Sequence, residues 1–138
     1  MTRSLERPDP AVVLKGLKDF QWDTLEYVFH RMYSDPEPTH RFLIADEVGL
    51  GKTMVARGLI AKVIDHLWDK VKRIDIVYIC SNADIARQNV RKLNVTGKED
   101  AAITSRITLL PTQIQDLAGS RVNLVSFTPV TRTMYWPL

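Results

Sequence analysis

Phe42 to Ile60 reads FLIADEVGLGKTMVARGLI. Three apolar residues and Ala45 lead into two acids, then Val48-Gly49-Leu50-Gly51-Lys52-Thr53, then an apolar pattern at helical spacing. Arg41 to Ala45 predicts a short buried strand. Lys52 to about Trp68 predicts a helix, with Val55, Leu59, Val63 and Leu67 recurring every four residues on one face. Between the two the chain must turn back onto the sheet, and Gly49 and Gly51 permit backbone angles and close approaches that a Cβ disfavours. A loop of this kind turns successive N–H groups inward as an anion nest. The helix that follows adds about half a positive charge at the same place. Lys52 is then placed to reach the β- and γ-phosphates of a nucleotide, and the Thr53 hydroxyl to hold Mg²⁺. The strict form of this loop, G-x-x-x-x-G-K-[ST], asks for glycine where this chain has Asp46.

Outward from this loop, strands and helices alternate. Upstream, Phe20 to Tyr33 predicts a helix through Leu25, Val28, Phe29 and Met32, followed by a proline-rich loop from Ser34 to His40. Residues 1–17 read as a loose arm, since Pro8 and Pro10 discourage helix. Downstream, Ile74 to Cys80 predicts a second buried strand. Asp84 to Leu93 predicts a helix with Ser81 or Asn82 near its cap. Ile107 to Leu110 predicts a third strand, Pro111 to Leu117 a short helix and Val122 to Phe127 a fourth strand. The segment before Ile107 is ambiguous. Such alternation implies right-handed βαβ units, hence an α/β fold with a parallel sheet covered on both faces. Ligands of such sheets sit at the carboxyl ends of strands, which is where the glycine loop falls.

The bulk numbers fit one domain. The chain has 138 residues, 45% of them apolar and 25% charged, which argues against disorder throughout. A net charge of +3 permits an anionic partner without requiring one. The single cysteine, Cys80, lies in an apolar run and reads as a core residue, so no internal disulfide is possible. His30, His40 and His66 are scattered, with no zinc spacing. The charged, proline-broken start is not a secretory signal. No apolar run approaches the roughly 20 residues that span a bilayer, so the expected location is cytoplasmic and no membrane partner is expected.

The segment ADEVGLGKT (Ala45 to Thr53) resembles motif I of superfamily 2 helicases and translocases, most closely the Snf2/RapA-like branch, which writes Asp-Glu before Gly-x-Gly-Lys-Thr. YICSNADIARQNVRKL (Tyr78 to Leu93) is similar to motif Ia, an apolar strand, a small polar turn and a helix carrying glutamine. FQWDTL (Phe20 to Leu25) is similar to the segment whose glutamine reads adenine. VNLVSFTP (Val122 to Pro129) resembles the strand before a further nucleic-acid-contact turn. The resemblance implies a P-loop NTPase of RecA-like type, an incomplete parallel sheet with flanking helices, over residues 18–130; residues 131–138 stay unassigned. It implies ATP and Mg²⁺ as ligands, held by Asp46, Glu47, Val48, Gly49, Leu50, Gly51, Lys52 and Thr53, with Gln21 on adenine. Lys52 and Thr53 would carry the catalytic role, and Thr53 would meet Mg²⁺ through the nucleotide. The motif Ia resemblance implies a nucleic-acid path along Ser81, Asn82, Arg87, Gln88 and Arg91, with DNA ahead of RNA. Lys92 reads as an ordinary solvated lysine.

Hydrolysis also needs a second carboxylate at the end of a neighbouring strand to hold Mg²⁺ and orient water. In the resembling family this is an Asp-Glu-x-His box. Asp46 and Glu47 cannot act as that box, because their loop runs straight into Lys52. No later acid follows an apolar strand, and the second lobe with its arginine finger is missing. The expectation is therefore the N-terminal part of a first RecA-like lobe that binds nucleotide without hydrolysing it or unwinding alone. A complementary helicase fragment or larger complex is the expected partner. The alternative is a nucleotide-responsive module that regulates such a complex. A parallel sheet cut short would also leave apolar faces uncovered and favour self-association.

Overall fold

The computed structural model describes residues 7–45, 47, 49–97, 102–105 and 119–128. Its helices are α1 (Pro10–Leu14), α2 (Asp19–Phe29, running on into a π-turn over His30–Ser34), α3 (Lys52–Leu67) and α4 (Ala83–Leu93). Its strands are β1 (Ile74–Ile79), β2 (Ala102–Ser105) and β3 (Val122–Phe127). The three strands form one sheet in the order β1-β3-β2 with every pairing parallel. The chain is thus a mixed helix and strand structure around a small parallel sheet, as the alternation predicts.

The register follows from hydrophobic pattern. Ile74, Ile76 and Tyr78 of β1 lie opposite Val122, Leu124 and Ser126 of β3, and side chains two apart share a face. That face carries α3 and α4. Ile64 and Trp68 pack with Ile74 and Val122 at the amino ends of the strands. Farther up, Val90 and Leu93 of α4 pack with Leu124, and Ala56, Ile60, Ile76 and Tyr78 pack around that cluster. α3 therefore runs down the sheet from carboxyl end to amino end, and its first turn stands at the carboxyl end. On the other side of α3, Val55 packs with Leu14 of α1 and Leu25 of α2.

Several expectations need correction. The buried stripe of α3 is Val55, Gly58, Ala61 and Ile64; Leu59, Val63 and Leu67 are only half-buried. Four-residue steps drift by about 40° each on a 3.6-residue helix, so that row rotates away from the core. The arm contains a short helix: Pro10 opens α1, Asp9 caps it by accepting from Ala11 N–H at 3.0 Å, and Arg7 pairs with Asp65 at 2.9 Å. Proline is tolerated there because a first-turn N–H has no helical acceptor to lose. Arg41 to Ala45 is not a strand. Ile44 packs on the Leu14–Leu25–Val55 cluster and Phe42 stands edge-on to Tyr27, 5.8 Å between centroids, while Leu43 is 82% exposed. Its apolar residues are taken up by helices rather than by the sheet. β1 is not buried on both faces either: Val77 and Ile79, on the side away from the helices, are exposed. Cys80, just past β1, is half-buried. β2 falls in the segment read as ambiguous, and the strand expected at 107–110 and helix at 111–117 lie outside the described residues.

Candidate functional site

The glycine loop ends where α3 begins. Gly49 has φ 92° and Gly51 φ 80°, ψ 37°, both in the left-handed region. Gly51 is the N-cap of α3, and its carbonyl accepts from Met54 N–H at 2.8 Å and Val55 N–H at 3.3 Å. Being glycine, it offers no side-chain cap, and the first turn of α3 holds no acid. The positive end of a 16-residue helix therefore receives no neutralising group from its own cap or first turn. Lys52 opens the helix and folds its side chain back over the loop, donating from Nζ to the Glu47 carbonyl at 2.8 Å. Leu50 N–H reaches the same carbonyl at 3.5 Å. Thr53 follows, half-buried. Asp46 and Val48 lie outside the described residues.

Gln21 reaches this loop from α2, and sequence reasoning did not anticipate how. It is 6% exposed. Its Oε1 accepts from Lys18 N–H at 3.0 Å, capping the start of α2, and its Nε2 donates to the Leu50 carbonyl at 2.8 Å. A Cβ on Gly51 would come within 2.4 Å of Gln21 Nε2, closer than such atoms approach. Gln21 thus positions the loop, and glycine at 51 is needed twice, for its φ and for this approach. The signal available in the sequence was glutamine as the third residue of a helix, which marks a cap but says nothing of its tertiary acceptor.

At the carboxyl end of the sheet, β1 is followed by Cys80, Ser81 and Asn82, and β3 by Thr128. Among the described residues neither of these strand ends carries an acid, and no group of three His, Cys, Asp or Glu could hold a metal. Asn82 caps α4, accepting from Asp84 N–H at 2.9 Å and Ile85 N–H at 3.1 Å. Arg87 pairs with Asp84 at 3.1 Å in solvent. Ser81, Gln88 and Arg91 are exposed, as is Lys92. The outward face of α4 is therefore basic, while Ala86, Val90 and Leu93 are buried. The structure brings Gln21, Gly51 and Lys52 to one place and sets the α4 residues apart on a second surface.

Among the described residues, three buried polar atoms make no hydrogen bond: Arg57 Nε, Arg121 Nε and Ser126 Oγ. Ser126 is 0% exposed.

Compared with protein-family models, curated proteins and solved structures, the chain has no match. Nothing outside the chain therefore bears on its activity. Among the described residues, no helix is long and apolar enough to cross a membrane.

Proposed function

We propose that this chain is the ATP-binding N-terminal portion of a helicase or Snf2-like translocase, built as the start of a RecA-like P-loop lobe. The observation that carries this reading is the beginning of α3. Two left-handed glycines, an N-cap without a side chain, an acid-free first turn and Lys52 converge at the carboxyl end of a parallel sheet. This is the arrangement in which a helix dipole and loop amides hold a polyphosphate. The residues fit the ligand: loop amides and Lys52 would hold the β- and γ-phosphates of ATP, and Thr53 would meet Mg²⁺ through the nucleotide. Bound ATP with Mg²⁺ would supply the phosphoanhydride and the metal charge. Lys52 would leave the Glu47 carbonyl for phosphate, a charge-assisted bond stronger than the neutral one it replaces.

The same chain is expected to turn over little ATP, because no described strand end offers a carboxylate to orient water. The basic outward face of α4 suits the backbone of a nucleic acid, DNA ahead of RNA, through Ser81, Arg87, Gln88 and Arg91. Asn82 contributes by capping that helix. A second reading, a nucleotide-responsive module that works on a larger helicase or nucleic-acid complex, is favoured by the exposed Leu43, Val77 and Ile79, which a further protein element would cover. Titration with a fluorescent ATP analogue and Mg²⁺ tests the main reading. Saturable binding that Lys52→Ala abolishes supports it, and a flat titration with folded protein overturns it.

A further inference from the structure

Two stretches of extended backbone in this chain are open on one side. The first is the outer edge of β1. Ile74 N–H donates to the Arg121 carbonyl at 2.8 Å and Cys80 N–H to the Phe127 carbonyl at 3.1 Å, so the even-numbered residues of this strand turn their backbone groups toward β3. Alternation turns those of Asp75, Val77 and Ile79 the other way, and among the described residues no strand pairs with that edge. The side chains of the same three residues are exposed. Val77 is 52% exposed, whereas Val125, its partner in register on the same face, is 4% exposed. The cover on that face of the sheet therefore stops at β3.

The second stretch is residues 41–45. It alternates as a strand does: Leu43 points to solvent, while Phe42 meets Tyr27 and Ile44 packs on the Leu14–Leu25–Val55 cluster. Yet among the described residues Phe42, Leu43, Ile44 and Ala45 make no backbone hydrogen bond. Exposed extended backbone of this kind is a template for pairing with another strand.

Charge fixes how the two stretches fit each other. In a parallel ladder with Leu43 opposite Val77, Arg41 stands opposite Asp75 and Ala45 opposite Ile79. Arg41 is exposed and makes no ion pair among the described residues. Asp75 accepts from Arg73 Nε and Asn123 Nδ2, each at 2.8 Å, but both on Oδ1, which leaves Oδ2 for a further guanidinium. The antiparallel alternative with Leu43 on Val77 sets Arg41 against Ile79 and Ala45 against Asp75, with no charge pair. The parallel register also gives the open backbone its partners: Phe42 N–H would donate to Asp75, Val77 N–H to Phe42, Ile44 N–H to Val77 and Ile79 N–H to Ile44.

We propose that the occupant of the β1 edge is a second copy of this chain, whose residues 41–45 add to it as a parallel strand with Arg41 on Asp75 and Leu43 on Val77. Two copies that exchange the segment reciprocally use both open stretches of each. The contact leaves Lys52 and Thr53 out and does not rest on nucleotide binding.

Sedimentation velocity on the unaltered chain, from the micromolar to the near-millimolar range, should show mass rising above the monomer. Leu43→Lys and Val77→Lys should leave the circular dichroism unchanged, since both positions are exposed, and should hold the chain monomeric, because a lysine on an edge opposes pairing. Arg41→Asp and Asp75→Arg should each weaken association by about threefold or more, as a like-charge pair replaces an opposite one. An equimolar mixture of those two variants should associate as tightly as the unaltered chain, because each then meets the opposite charge on the other. A chain that stays monomeric throughout overturns the proposal and leaves both edges to a partner of different sequence. Association that Leu43→Lys and Val77→Lys leave intact, or that the mixture fails to restore, overturns it as well. Leu43→Lys decides even where Asp75→Arg, which also loses the Arg73 and Asn123 contacts, does not fold.

Discussion

The two ends of α3 are finished in opposite ways. At its carboxyl end, Arg121 donates to the carbonyls of Trp68 and Val71, and its guanidinium lies 4.1 Å from the centre of the Trp68 ring. Trp68 and Ile64 are packed there against Ile74 and Val122. Carbonyls of Asp65, Leu67, Trp68 and Val71, dipole charge and apolar surface are met there within the chain. At the amino end, the cap is a glycine and no acid stands in the first turn. The neighbouring α4 makes the contrast sharper, since its own amino end has both an Asn82 cap and Asp84 in its first turn. The same protein caps helices where capping serves stability. At the start of α3 it leaves the positive end open, which is what an anion site requires.

This contrast is open to experiment, and Lys52 should show the largest effect. Lys52→Ala should weaken binding of an ATP analogue with Mg²⁺ by about tenfold to a hundredfold, the range of a charge-assisted hydrogen bond of about 1.5–3 kcal/mol. Thermal unfolding without nucleotide should change little, because the Lys52 hydrogen bond to the Glu47 carbonyl lies at the surface. A fall in melting temperature without loss of binding would make that end structural like the other.

Arg121→Ala should do the reverse. It removes the guanidinium that satisfies two carbonyls and covers Trp68, and should cost about 1.5–3 kcal/mol in urea unfolding. Nucleotide affinity should be unaffected, since the change lies at the far end of the helix. Equal effects on both would mean that the ends are coupled.

Gly51→Ala tests whether Gln21 holds the loop. The new Cβ would press on Gln21 Nε2 and sit at φ 80°, for a loss of about 1–3 kcal/mol, as overpacking typically costs. Gly49→Ala meets nothing within 4 Å and should cost only the backbone strain, about 1 kcal/mol. A larger loss at 49 than at 51 would contradict the clamp.

The smallest effect concerns α4. Asn82→Ala should destabilise by about 1 kcal/mol, as loss of an N-cap does. No change in unfolding would mean that the Asn82 side chain is not what holds the start of α4.

Much of the architecture was legible before any coordinates. Ile74 to Ile79 and Val122 to Phe127 announced themselves by β-branched apolar runs, and α4 by its period and its Asn82 cap. The order of strands was not legible, because β3 takes its central place through pairing with both β1 and β2, and pairing is a long-range choice. Phe42-Leu43-Ile44 reads as a strand on composition. It is not one, because Ile44 and Phe42 find better partners on α1, α2 and α3 than on a sheet edge. The candidate site divides the same way. Gly49, Gly51, Lys52 and Thr53 declare themselves by spacing, whereas Gln21 as the clamp on Leu50 does not.

Local chemistry was therefore enough to place a glycine turn, a lysine and a helix start in sequence, because backbone sterics and the helix dipole act over a few residues. What stands opposite that helix start depended on how distant segments packed. α2 carries Gln21 to the loop from 29 residues away, where its Nε2 donates to the Leu50 carbonyl. Such contacts arise only when distant segments meet, so the clamp of Gln21 on the loop belongs to the folded chain and not to any stretch of it.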